Sequence, residues 1–131
     1  MHYSNIQRAT FLRRPNRFIA HIEVDGREEV CHVKNTGRCR ELLTDRATIY
    51  VEHHDNPKRK TKYSLIAVEK GDLLINMDSQ APNKVVGEWL LEKEPFGKVT
   101  LLKPECTCGS SRFDFYLETE AEKIFIEVKG V

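Results

Sequence analysis

The chain lacks the features that would take it out of water or hold it together covalently. No apolar run approaches the roughly 20 residues that a bilayer-spanning helix needs, so neither a transmembrane segment nor a membrane partner is expected. The opening stretch, MHYSNIQRATFLRR, has no apolar h-region, so no secretory leader is expected. Four cysteines among 131 residues are too few for a disulfide scaffold and point to a reduced, cytoplasmic chain. There is no Gly-rich phosphate loop, no G-x-S-x-G elbow and no H-E-x-x-H pair. Internal repeats and low-complexity tracts are also missing. The formal net charge is only +1, which by itself names no partner.

Enough remains for a folded protein. With 40% apolar and 31% charged residues, the chain can build a core as one domain or two small ones. Its near-neutral balance hides an asymmetry. Residues 1–62 carry 13 Lys and Arg against 8 Asp and Glu, and residues 63–131 carry 8 against 12. A basic first half attracts a polyanion, and an acidic second half can hold a cation. Ordinary surface charge with chance clustering is the plain alternative.

Period-two alternation places Phe18, Ala20, Ile22 and Val24 on one face of a strand over 17–24. Asp25-Gly26 then marks a two-residue hairpin turn, and 27–33 pairs back. Asn35-Thr36-Gly37 breaks the pattern, and 38–43 suggests one or two helical turns. Residues 47–54, 63–70 and 73–77 read as further strands, with a turn at Gly71-Asp72. Several short strands with one small helix suit a partly open β-barrel such as an OB-fold. Period counting does not separate it from other small barrels.

A helix is expected from Pro82 to about Lys93, with Val85, Val86, Trp89 and Leu90 at helical spacing and Ser79 or Asn83 as cap. Pro95 and Gly97 end it. Three strand-like runs follow, at 98–105, 112–118 and 123–129. In the second, Phe113, Phe115 and Leu117 share one face and Arg112, Asp114 and Tyr116 the other. In the third, Ile124, Ile126 and Val128 oppose Glu127 and Lys129. The sequence stops right after that strand, at an apolar edge that proteins normally cover, so the second unit is expected to be incomplete.

The richest constellation is Asp114, Glu127 and Lys129. Alternation puts Glu127 and Lys129 on the same side of one strand, and a hairpin would bring Asp114 to them. Two nearby carboxylates repel unless a cation lies between them. Mg²⁺ or Mn²⁺ on Asp114 and Glu127 would polarise a phosphodiester and activate water. Lys129 could stabilise the developing charge, and Glu88 on the preceding helix could add an outer carboxylate. D-(x12)-E-x-K is the pattern of the PD-(D/E)xK nuclease core, although Phe113 stands where the motif has Pro. The bland alternative is a hairpin with a salt-bridged outer face.

The second constellation is basic. Arg13, Arg14, Arg17, Lys34, Arg38 and Arg40 lie in the first strands and their connections, and Lys58, Arg59, Lys60 and Lys62 follow in DNPKRKTK. Such charges hold a polyanion backbone, and OB-type barrels add stacking aromatics. Phe11, Phe18 and Tyr63 are stacking candidates, with core packing the ordinary role. Asn35 through Arg38 could present backbone N–H groups and an arginine to a phosphate, or be a plain turn. The cysteines say less: Cys106-Thr107-Cys108 and the pair Cys31 and Cys39 lack the spacing of a zinc site. His53-His54 lies near no second ligand motif, and His21 and His32 sit on strands.

The runs RPNRFIAHIEVDG, CHVKNTGRCRELL, DNPKRKTKYSLIAVEKGDLLINMDSQAPNKVV and SRFDFYLE…IFIEVKGV closely resemble the sugar fermentation stimulation protein A (SfsA) family, over essentially the whole chain. The resemblance implies an α+β chain: an OB-fold-like barrel over 1–80 that binds nucleic acid, then over 81–131 the first helix and strands of an α/β, PD-(D/E)xK nuclease-like domain. It implies DNA binding, with RNA a second substrate, and a link to sugar (maltose) utilisation genes in bacteria. Carried over residue by residue, the acids match Asp114 and Glu127, the amine Lys129, and Glu88 more weakly. Family chains continue beyond EVKGV, and Cys106 and Cys108 stand where aromatic residues are expected. The expectation is a DNA/RNA nuclease dependent on Mg²⁺ or Mn²⁺. The alternatives are a regulator of sugar genes with a vestigial nuclease fold, and a barrel for a ligand other than nucleic acid. Self-association is left open.

Overall fold

The computed structural model describes residues 1–130. It divides into two compact units, His2–Ser79 and, separately, the residues from Gln80 onward together with Met1. The first unit holds β1 (Ile6–Arg13), β2 (Ile19–Val24), β3 (Arg27–His32), β4 (Thr48–His53), β5 (Tyr63–Lys70) and β6 (Leu73–Asn76). Their order is β3-β2-β1-β4-β5-β6, and a short parallel β3–β5 pairing joins Cys31 to Tyr63 and His32 to Ser64. That pairing closes the first five strands into an OB-like barrel. Closure removes the strand edges and turns the alternating apolar positions inward. Ile22, Val24, Val33, Ile49, Val51, Leu65 and Val68 are buried to 1% exposure or less.

The β2–β3 turn follows the local sequence. Val24 pairs with Arg27, and Asp25 (φ 52°) with Gly26 (φ 78°) supplies the two positive φ angles of a type I′ turn. Two expectations change. β1 was not legible as a strand, because only Ala9 and Phe11 on it are buried. Its identity comes from antiparallel pairing to β2 on one side and β4 on the other. Residues 38–43 form a single turn, closed by the Leu43 N–H donating to the Cys39 carbonyl at 2.9 Å, and not a helix.

The second unit holds α1 (Ala81–Lys93), β7 (Val99–Cys108), β8 (Ser111–Thr119) and β9 (Lys123–Ile126), with the sheet order β7-β8-β9. Pro82 stands in the first turn of α1, where its missing N–H costs nothing. Neither expected cap operates. Gln80 is the N-cap residue and makes no side-chain capping bond, and the helix ends at Glu94 in the left-handed conformation (φ 44°). Leu90, Phe115 and Leu117 form the core, with Val86, Leu102, Ile124, Ile126 and Val128 against it. Gly87 lets α1 approach β8 closely: a Cβ there would lie 3.2 Å from the Phe115 ring, which would have to shift by a few tenths of an ångström. Val85 and Trp89, read as part of an apolar helix face, are exposed.

The expected faces of β8 do not hold at its start. Phe113 packs tilted against Phe125 with ring centres 4.9 Å apart, and Tyr116 packs tilted against the same ring at 5.1 Å. Asp114 instead bonds to Asn83 on α1, beside Phe115. The third strand is also shorter than expected. Its ladder ends at Ile126, because the Val128 N–H is taken by the Asp114 carboxylate in place of a backbone carbonyl.

Candidate functional site

In the second unit the candidate chemistry centres on Asp114. Its Oδ2 accepts the Val128 N–H at 2.7 Å and its Oδ1 accepts Asn83 Nδ2 at 3.2 Å. The Val128 bond is the main cause that holds its carboxyl below the usual carboxylate range. Partial burial opposes this, and Asn83, Lys129 and Arg112 add to it. Asp114 is therefore an anion at neutral pH. It lines a cleft of about 520 Å³ together with Asn83, Lys84, Glu88, Leu91 and Glu105.

Glu127 and Lys129 pair with each other at 2.8 Å, both largely exposed. That contact raises the lysine's pKa, first through the hydrogen bond and then through charge, with a smaller contribution from Asp114. Ile126 and Val128 pack on the core, and Glu127 and Lys129 alternate with them at the surface. The β8–β9 register runs through Phe115 opposite Ile126, so the next pair would be Asp114 opposite Glu127. The structure thus sets Asp114 against the backbone of the 127–129 segment, while Glu127 is not part of the cleft lining. Glu88 does line the cleft, and its Oε2 lies 2.6 Å from the Met1 ammonium, which clusters with this unit.

Glu105 escaped the sequence reading. It falls opposite Asp114, between the pairs Pro104–Phe115 and Cys106–Phe113, and has φ 53°. Its carboxylate meets Arg112 at 3.3 Å. The only signal was its position nine residues before Asp114 on a neighbouring strand, and that means nothing until the register is known. Among the described residues no three His, Cys, Asp or Glu side chains stand together as a ready-made metal cage.

In the barrel, the basic residues divide into those that are committed and those that are not. Arg14 donates to four carbonyls: Gly37 (2.6 Å), Arg38 (2.9 Å), Arg17 (2.6 Å) and Asn35 (2.7 Å). Asn35 turns its own loop by accepting the Gly37 N–H at 2.9 Å. Arg13 makes a bidentate pair with Glu28, both bonds 3.1 Å. Lys34 lies 3.5 Å from Asp78, whose side chain is fully buried and also accepts from the Tyr3 hydroxyl at 2.9 Å. Burial is the main cause that raises the Tyr3 pKa. Arg59 donates to the Thr61 carbonyl and to Ser64 Oγ.

The remaining cations are exposed. Lys58, Lys60 and Lys62 lie on the 54–62 connection. Arg17, Arg38 and Arg40 rim a concavity of about 470 Å³ with Phe11, Pro15, Asn16 and Leu43. Of the three aromatic candidates, Phe11 and Tyr63 are core residues at 5% and 4% exposure, and Phe18 is 57% exposed. No helix is long and apolar enough to cross a membrane among the described residues.

Comparison with known proteins divides the chain in a similar place. A family model described as the SfsA N-terminal OB domain matches residues 12–77, and one described as the sugar fermentation stimulation protein RE domain matches residues 80–131. Over all 131 residues the chain is 63% identical to a sugar fermentation stimulation protein homolog of Clostridium beijerinckii and 59% identical to that of Ruminiclostridium cellulolyticum. It spans 58% of the length of each. A solved structure, that of Pyrococcus furiosus SfsA in complex with Ca²⁺, superposes with a TM-score of 0.79 at 27% identity, over 97% of this chain and 55% of that one.

Proposed function

We propose, for a chain that belongs to the sugar fermentation stimulation protein family, two linked activities. Residues 1–80 form a nucleic-acid-binding domain, and residues 81–131 carry the acids of a metal-dependent phosphodiesterase acting on DNA or RNA. The observation that carries this reading is Asp114: an ionised carboxylate in a cleft, gripping the backbone of the segment that bears Glu127 and Lys129.

The donors fit a hard divalent cation. All are carboxylate oxygens, and Mg²⁺ is often anchored by one or two of these plus waters and substrate phosphate. Asp114 would hold Mg²⁺ or Mn²⁺ with Glu127, and Glu88 and Glu105, which line the same cleft as Asp114, would serve as outer carboxylates. The Pyrococcus furiosus relative was solved with Ca²⁺, which shares this preference for oxygen ligands. Bound there, the cation would polarise the phosphodiester and lower the pKa of its water. The chain's own residues do the rest. Asn83 and the Val128 N–H fix the Asp114 carboxylate in one orientation. Lys129 is held as an ammonium by Glu127 and can turn to a phosphate oxygen when Glu127 engages elsewhere.

Labelled DNA and RNA incubated with the protein and Mg²⁺ or Mn²⁺, beside Asp114→Ala, test this. The expected result is cleavage that the substitution lowers about 100-fold or more. Equal cleavage by both proteins would remove the assigned site. A second reading, a non-catalytic DNA-binding regulator of sugar-metabolism genes, is favoured by the Glu127–Lys129 pair, which satisfies that carboxylate without a metal. Tight DNA binding with no turnover under either metal would establish it.

A further inference from the structure

We infer that the concavity rimmed by Arg17, Arg38 and Arg40 takes one nucleotide of a single strand, with Arg14 as the residue that holds its walls in position. The inference deepens the nucleic-acid reading of the barrel and depends on it.

The site combines two kinds of surface. Its floor is apolar: Phe11 (5% exposed), Leu43 (8% exposed) and the ring of Pro15. Its rim is cationic, and among the described residues no ion pair occupies Arg17, Arg38 or Arg40, in contrast to Arg13 and Lys34. A phosphate would satisfy the rim but leave the floor bare. A base would cover the floor but leave three guanidinium groups without an anion. A nucleotide satisfies both, and about 470 Å³ lies within the range of roughly 300–1,000 Å³ typical of small-molecule sites.

A duplex fits this shape poorly. It presents phosphates outward and keeps its bases paired inside, so it would lie across the rim without filling the floor. A single strand can turn a base in, and sequence-tolerant stacking then adds to backbone charge contacts. Phe18 follows Arg17 directly in the chain, lies outside the lining of the concavity and is 57% exposed, so its ring is available to a neighbouring base of the same strand. Asn16 Oδ1 accepts both the Phe18 and Ile19 N–H groups, at 2.9 and 3.0 Å, so the backbone carrying this ring is fixed.

The walls are also built before any ligand arrives. They belong to the β1–β2 connection, with Arg17, and the loop after β3, with Arg38. The two loops are separated by the whole β2–β3 hairpin. The Arg14 guanidinium joins them, bonding to the Arg17 carbonyl on one side and to the Asn35, Gly37 and Arg38 carbonyls on the other. Lysine keeps the charge but cannot reproduce this planar fork. Arg14 is therefore a positioning residue, and its charge faces its own backbone.

Fluorescence anisotropy with labelled oligothymidylate, oligouridylate and a mixed-sequence duplex of equal length, over a salt series, tests this. Circular dichroism checks that each variant is folded. Single strands are expected to bind about tenfold or more tighter than the duplex at one salt concentration. The Arg38→Ala/Arg40→Ala variant should weaken single-strand binding and flatten the slope of log affinity against log salt by about 1.4, two contacts at roughly 0.7 each. Phe18→Ala and Arg14→Lys should weaken single-strand binding with that slope unchanged. Duplex binding equal to or tighter than single-strand binding, or an unaltered slope in the double variant, would overturn the pocket while leaving the barrel a nucleic-acid binder. No binding of any of the three would overturn the pocket and that broader reading together.

Discussion

The two units bury their apolar residues by different means, and the difference accounts for what each can offer. In the barrel, every one of β1 to β5 has a neighbour on both sides. Its core joins fourteen buried residues from all five strands, the loops between them and Met77 after β6. Among the described residues, the second unit packs one helix on a three-stranded sheet whose outer strands each have a single neighbour. Among the described residues, only Leu90, Phe115 and Leu117 form its fully enclosed cluster. A closed barrel fixes its loops by fixing their ends, so side chains such as Arg14 can tie one loop to another with short, aligned bonds. At an open edge the ladder can end early. The Asp114 carboxylate then takes the N–H that a backbone carbonyl would otherwise accept.

This contrast can be broken most sharply with the cysteines. Cys31 is fully buried in the barrel, and burial pushes its thiol up to about 12. Cys108 is exposed at the end of β7. A thiol reagent should modify Cys108 at the rate of a free thiol and Cys31 about 1,000-fold or more slowly, only as the barrel opens. Mass spectrometry of the labelled peptides gives both rates. Equal rates would mean that closure does not protect the barrel.

Core truncation is the next largest effect. Ile22→Ala and Leu90→Ala each remove a fully buried side chain and should each cost about 2–5 kcal/mol. Hydrogen exchange should separate them. Ile22→Ala should speed exchange across β1 to β5 together, whereas Leu90→Ala should release α1 and β8–β9 and leave β2 and β3 protected. Release of all elements by either substitution would show that the units do not open separately.

Arg14→Lys should be smaller, about 2 kcal/mol by chemical denaturation, because a lysine cannot satisfy four carbonyls arranged around a fork. Faster exchange should be confined to the loops at 14–17 and 35–38. No change in stability would mean that water replaces the guanidinium without cost.

The smallest expected effect is on pH dependence. The folded-state pKa of Asp114 is lowered from 3.8, so the unfolded chain binds the extra proton. The contribution of Asp114 to stability is therefore complete above that value and is lost as the pH falls through the lower folded value. Asp114→Asn should flatten the acid limb of the stability curve without steepening it at neutral pH. Melting curves collected between pH 2 and 6 read the difference directly, and an unchanged acid limb would show that the Val128 bond does not discriminate between the two protonation states.

Much of the fold was legible because its signals are local. Asp25-Gly26 announces a turn, alternation marks β2, β8 and most of β9, and Pro82 with its downstream spacing marks α1. β1 was not legible, since an alanine and a single phenylalanine are its buried residues. The basic residues were recognisable as a group, but the sequence could not sort them. Arg14 and Arg17 are three residues apart; the two terminal nitrogens of one are taken by backbone carbonyls and the other side chain is open to solvent. Glu105 was invisible for a related reason, since its relation to Asp114 is a matter of strand register.

The amino-acid sequence alone determined most of the elements, the family and through it the OB-like class of the first half, and the acids and amine to watch. Those depend on periodicity, on turn chemistry and on residue runs, which are properties of neighbours along the chain. Only the tertiary structure decided which charges are committed and which remain available, and on which side of the sheet Asp114 lies. A charged group's state is set by whatever stands within a few ångströms of it. In a folded chain those neighbours come from distant parts of the sequence.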